Sequence, residues 1–297
     1  MQKLIVLGFV GLLAQLIDGA LGMAYGVTST TLLLTAGVAP AAASASVHLA
    51  ELGTTAASGF AHWRFGNIDR RVVALMTVPG AIGAFLGAIV LTSLPAEVAA
   101  PAIAIFLFAL GAYILIRFAT RTFPPRPRGR RLPWFVLSPL GAFAGFMDAA
   151  GGGGWGPIGT PTLLSSGRLE PRKVIGSVDT GEFLVALGAS LGFLVSLSLA
   201  HINLAWVGAL LAGGVIAAPI AAWLVKRLPP RILGSAVGSV ILLTNARTFM
   251  EAIGVEGRVV AAAYVALAIL AVISVWSALA IHRRERQLEA RPGVAVL

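Results

Sequence analysis

One break in an apolar pattern occurs twice in this chain. The segment from Asp18 to Gly26, DGALGMAYG, returns at a constant offset of 130 as the segment from Asp148 to Gly156, DAAGGGGWG. The register continues, with Thr30 matching Thr160 and Leu33-Leu34 matching Leu163-Leu164. After a one-residue insertion the offset is 131. It then pairs Pro40 with Pro171, Ser46-Val47 with Ser177-Val178, and Glu51 with Glu182. A glycine-bearing break with an acid on either side, once per half of a very apolar chain, is the signature of a two-repeat membrane transporter. Its site lies where the repeats meet.

The surrounding chain fits a membrane solvent. Of its 297 residues 58% are hydrophobic and 11% charged, against roughly 25% charged in a soluble domain. Apolar stretches reach the roughly 20 residues that a helix needs to cross the bilayer. Lipid leaves backbone groups to satisfy one another, so runs of this length without strict alternation mean helices. The N-terminal segment, Lys3 followed by an apolar run, has the outline of a signal peptide. Asp18 interrupts it, however, and a cleaved signal has no reason to recur at 134–166.

The net charge of +10 sits in short loops. That is the positive-inside pattern rather than a nucleic-acid footprint, so no nucleic-acid partner is expected. There is no cysteine, and the four histidines lack zinc-type spacing, so neither a metal nor a cofactor is expected. No nucleophile–base motif appears, and no Gly-Lys-Ser/Thr follows the glycines; the chain reads as neither an enzyme nor an ATPase.

Charge also orients the spans. Segment 117–131 holds six arginines and three prolines, so it reads as a cytoplasmic linker. Equivalent loops carry opposite bias. Turn 64–71 is basic and its partner near 200–203 is not. Turn 92–97 is not basic and its partner near 226–231 is. Turn 38–44 is uncharged and its partner 168–173 is basic. The two repeats are therefore expected to be inverted.

The expected architecture is all-α and polytopic, with two inverted repeats. Each repeat holds a re-entrant broken-helix hairpin and three transmembrane helices, and one extra C-terminal helix follows. The spans are placed at 45–63, 70–92, 97–117, 174–199, 204–225, 232–250 and 258–281. Hairpins fill 4–37 and 134–166, with arms of about 10–17 helical residues, too short to cross comfortably. The domain reading is 1–117 for the first repeat, 118–132 for the linker and 133–250 for the second repeat. Residues 251–282 are the extra helix, and 283–297 a cytoplasmic tail. The N-terminus is placed on the periplasmic side.

The breaks carry the chemistry. The run Gly151–Gly154 removes helix, and Pro157 suits the first turn of a new one. Unpaired amides at that start, with the helix dipole, favour an anion. Expected substrate-binding residues are Gly22, Tyr25, Gly26, Ser29 and Thr30 in the first copy. In the second they are Gly152, Gly153, Gly154, Trp155, Gly156 and Thr160. Close glycine packing between helices is the competing reading. Asp18, Glu51, Asp148, Asp179 and Glu182 lie in or beside apolar stretches, where charge is costly. They either couple a proton or cation, or serve structure: the aspartates by bonding freed amides, the glutamates by bonding across helices.

The segment Gly151–Leu164, GGGGWGPIGTPTLL, and its degenerate copy DGALGMAYGVTSTTLL resemble the TauE/SafE sulfite-exporter family of membrane permeases, over about residues 4–250. The resemblance implies a multi-pass protein of the bacterial cytoplasmic membrane that moves sulfite, organosulfonates or related small anions, usually outward. The matching motif positions are Asp18, Gly22, Tyr25, Gly26 and Thr30, and Asp148, Gly151–Gly154, Trp155, Gly156, Pro157 and Thr160. The first copy lacks the glycine run and the proline. Expected partners are the anion and the lipid bilayer, and a homo-oligomer is compatible with the sequence. A passive anion channel and a non-transporting scaffold are the alternative functions.

Overall fold

The structure is a computed structural model that describes residues 2–120, 131–197, 202–224, 230–255 and 257–289. Among these residues the chain is helical, with no strand. In order the helices are α1 (Gln2–Leu21), α2 (Tyr25–Thr35), α3 (Pro40–Arg64), α4 (Arg70–Ser93) and α5 (Ala96–Thr120). They continue as α6 (Trp134–Gly151), α7 (Trp155–Ser166), α8 (Pro171–Ser196), α9 (Leu204–Leu224), α10 (Pro230–Ala252) and α11 (Arg258–Glu289). A broken pair followed by three long helices thus occurs twice, and α11 is left over. The expected linker falls largely on 121–130, and the end of the tail on 290–297, outside the described residues.

Local chemistry sets the boundaries. Pro40 and Pro171 open α3 and α8, where a missing N–H leaves nothing unpaired. Asp69 caps α4, its Oδ1 accepting from the Arg71 and Val72 amides at 3.0 and 3.2 Å. Among the described residues six helices are long and apolar enough to cross a membrane: α1, α4, α5, α8, α9 and α11. α3 reaches 25 residues but carries Ser44, Ser46, His48, Glu51, Thr54, Thr55, Ser58 and His62, all buried. Its polarity faces protein rather than lipid.

One expectation needs correcting. The leading arms are longer than foreseen, 20 residues in α1 and 18 in α6, or about 30 and 27 Å at 1.5 Å per residue. Each aspartate lies inside the last turns of its helix, and the arm runs on past it to the break. The chain still doubles back. Leu32, Leu33 and Ala36 at the end of α2 line a cavity with Gln2, Lys3 and Val6 at the start of α1. Arg168 and Leu169, after α7, share another with Arg131 and Leu132, before α6.

Counterpart helices meet in opposite directions. In α3 and α8, His48 lies by Phe193, Gly59 by Thr180 and His62 by Gly176. In α5 and α10, Phe108 stacks on Phe249 with centroids 4.2 Å apart, while Gly238 meets Leu115 and Gly234 meets Phe118. α4 packs along α6 in the same direction, Met76 at Gly141 and Phe146 at Gly87. Its counterpart α9 likewise packs along α1, Leu210 at Gly11 and Ala221 at Gly19. Exchanging the two halves of the chain maps α4–α6 onto α9–α1 and each of the other two pairings onto itself.

The helix ends form two faces of different charge. One carries Arg64, Arg70, Arg71, Arg131, Arg168, Arg172 and Lys173 against Asp69 and Glu170. It is tied together by Lys173 Nζ donating to Ile68 O at 2.9 Å, the Asp69 amide donating to Ser177 Oγ at 2.7 Å, and Asn67 Nδ2 donating to Ala222 O at 3.3 Å. On the other face Thr35, Pro40 and Ala96 line one cavity, in a region poor in cations.

Candidate functional site

The two breaks pack on each other. In the first, Gly22 (φ 66°) and Ala24 (φ 99°) reverse the chain between α1 and α2. In the second, Gly152 (φ 72°) and Gly153 (φ 145°) do so between α6 and α7. Thr160 Oγ1 donates to Gly22 O at 2.6 Å, and its counterpart Thr30 lies against Gly152. A Cβ on Gly153 would stand 2.5 Å from Val27 N, and one on Gly156 2.6 Å from Gly22 O. Gly26 fits between Gly153 Cα and Glu51 Oε1, with 3.3 Å to each from the place of a Cβ. Here glycine serves close backbone approach. All eleven residues expected at the substrate site are buried.

The two aromatic residues anchor the breaks to the scaffold. Tyr25 donates its hydroxyl to Leu210 O on α9 at 3.2 Å. Trp155 donates Nε1 to Val178 O on α8 at 2.8 Å, and its ring lies over Gly80 of α4.

Beside each break stands a buried triad of titratable groups. His48, Glu51 and Asp148 place one ligand atom each within 4.8 Å of one another, and so do Asp18, Asp179 and Glu182. The repeat offset maps Asp18 onto Asp148, Glu51 onto Glu182 and His48 onto Asp179. The triads are therefore counterparts, and each crosses the halves: an aspartate from one leading arm meets two residues of the other half's long polar helix.

Their bonding differs. Asp148 Oδ1 accepts from the Gly154 and Trp155 amides at 2.7 and 3.0 Å, capping α7. Its Oδ2 lies 3.2 Å from His48 Nε2, and His48 Nδ1 lies 2.8 Å from Ser44 O. A carbonyl only accepts, so Nδ1 carries hydrogen, and a further proton lies between Nε2 and Asp148. Glu51 Oε2 is 3.9 Å from the same ring nitrogen. The amide-bonding role foreseen for the aspartates is thus seen for Asp148. In the other triad neither oxygen of Asp18 or of Asp179 completes a hydrogen bond, nor does Glu182 Oε2. Among the described residues, the histidines within 4.0 Å of these acids are His48 and His62, the latter 3.7 Å from Asp179 Oδ2.

His62, Ser58 and Thr54 were not foreseen at the site. The signal was present: Ser44, His48, Glu51, Thr55, Ser58 and His62 recur every three or four residues along α3, one polar stripe on one helix face. Reading acids alone passed over it.

A family model described as Sulfite exporter TauE/SafE matches residues 7–248. A protein of Bacillus subtilis (strain 168) named "Probable membrane transporter protein YtnM" is 56% identical over 253 residues, covering 84% of each chain. No solved structure matches. With both breaks and both triads inside the matched region, the chain belongs to the TauE/SafE family and is a multi-pass membrane transporter of that type.

Proposed function

We propose that this protein is a secondary transporter that moves a small anion, sulfite or an organosulfonate, outward across the bacterial cytoplasmic membrane, coupled to an ion gradient. The observation that carries this reading is the junction of the two breaks, where two short helix starts and two acid triads meet deep inside the protein. Helix starts favour anions. Buried acids near them repel an anion unless they bind protons or cations, which links the two species energetically. The breaks touch backbone to backbone, which supports alternating access over an open channel.

The reading includes two inverted repeats, residues 1–117 and 133–250. The opposed directions of α3 and α8, and of α5 and α10, support it. The basic face is assigned to the cytoplasm by the positive-inside rule, which puts the linker and the C-terminus there. No catalysis is assigned.

The test is flux in proteoliposomes of radiolabelled sulfite, sulfoacetate and sulfate, with and without an imposed proton gradient. Saturable flux of sulfite or the sulfonate that responds to the gradient is expected. Flux indifferent to any proton or sodium gradient would make the protein a passive channel. No flux of the three anions from folded protein would overturn the substrate class.

A further inference from the structure

We propose that the Asp18–Asp179–Glu182 triad is the proton-binding site of the transport cycle, reached from the basic face through His62, while the His48–Glu51–Asp148 triad is structural. This rests on the reading above as an ion-coupled transporter and identifies the ion and its site.

The geometry separates the triads. In the structural one two amides and the His48 ring nitrogen converge on Asp148, so only its second acid, Glu51, completes no hydrogen bond. The other is a cluster of acceptors facing acceptors. Its three carboxyls are buried within 4.8 Å of one another, and five of their six oxygens make no hydrogen bond. A carboxylate cannot donate, so these groups can bond to one another only when some carry protons. In a buried site three negative charges this close are also mutually prohibitive.

The surroundings point inward as well. Ser58 Oγ, buried and without a completed hydrogen bond, is directed at Asp179. Gln15 is buried with neither amide atom paired, and its Nε2 and Ser58 Oγ flank Gly19, beside Asp18. The titratable groups facing the triad are Tyr25 from α2, Glu51 and His62 from α3, and Asp148 from α6. α7 and α9 carry none, and α4 has charge only at its first turn.

The route out breaks the two-fold pattern. His62 Nε2 stands 3.7 Å from Asp179 and 3.0 Å from Gly19 O, and Asn67 Nδ2 reaches its Nδ1 at 3.2 Å. Asn67 in turn joins the basic face through Ala222 O. The counterpart of His62 is Phe193, whose ring lies 5.9 Å from that of His48. A titratable ring therefore links one triad to one face, and an apolar ring closes the equivalent path.

Infrared difference spectroscopy of the reconstituted protein across a pH change tests this without needing a substrate. The wild type should show a protonated-carboxyl band that is lost on alkalinisation. Glu182→Gln and Asp179→Asn should each remove much of it, and Glu51→Gln should leave it. His62→Phe should preserve the end states and slow the response about tenfold or more, as loss of a positioned proton carrier does. In sulfite-loaded vesicles Glu182→Gln should abolish gradient-driven accumulation and retain sulfite exchange. A band unchanged in both acid variants, or lost in Glu51→Gln, would overturn the assignment. So would sodium ions at fixed pH displacing the band, which would make this a sodium site. A band that behaves as expected in protein with no sulfite flux would keep the proton site and reject the substrate.

Discussion

Gly153 and Gly156 decide how closely the two breaks approach. Added side chains would meet backbone, Val27 N in one case and Gly22 O with Met23 Cα in the other, and backbone has nowhere to swing. Overpacking of this kind costs about 1–3 kcal/mol, and at Gly153 the φ of 145° adds strain that only glycine avoids. Gly153→Val and Gly156→Val should insert into the membrane yet lose sulfite flux and melt at lower temperature. Flux and melting read on the same preparation check this, and wild-type flux in either would end the idea that the junction is functional. Both glycines stood out in the sequence, Gly153 within four consecutive glycines that have no place inside a helix and Gly156 as the repeat of Gly26. Their neighbours across the junction did not. No spacing rule brings Val27 to Gly153 or Asp148 to His48, since those contacts arise from how two hairpins dock.

At the scale of helices, glycine is the packing code. Gly83 and Gly87 of α4 and Gly141 and Gly145 of α6 line a seam where an added Cβ would land on backbone carbonyls of the facing helix. In lipid, association depends on such close contact, because burial of apolar surface drives nothing there. Gly145→Leu should therefore destabilise the protein by about 3 kcal/mol, the top of the overpacking range. Gly208→Leu on α9, which meets nothing within 4 Å, should stay within about 0.5 kcal/mol. Thermal unfolding in detergent distinguishes the two, and equal losses would refute the seam. The long helices were legible from apolar runs: spans foreseen at 70–92 and 204–225 are α4 and α9 almost residue for residue. The length of α1 was not, because a hairpin broken at the glycine motif suggested short arms. In the fold Asp18 sits in the helix's final turns, buried beside Asp179 and Glu182.

The whole molecule joins two halves at one junction between two unequal faces, and its orientation can be read directly. The chain has no cysteine, so single replacements report cleanly. Ser93→Cys and Glu251→Cys should label with a membrane-impermeant thiol reagent in intact cells, and Arg168→Cys only after permeabilisation. Labelling of Arg168→Cys from outside would reverse the assignment of faces. The central claim is that the junction handles the anion, and Thr30 tests it most directly. Its hydroxyl is buried against Gly152 and completes no hydrogen bond, so removing it takes no bond from the fold. Replacing an unpaired buried hydroxyl by a methyl group should leave stability unchanged or raise it. The measurement is sulfite exchange in proteoliposomes by Thr30→Val, beside its melting temperature. The account predicts unchanged or higher stability with exchange slowed about tenfold or more, the equivalent of roughly 1.4 kcal/mol. Wild-type exchange in that variant would contradict it.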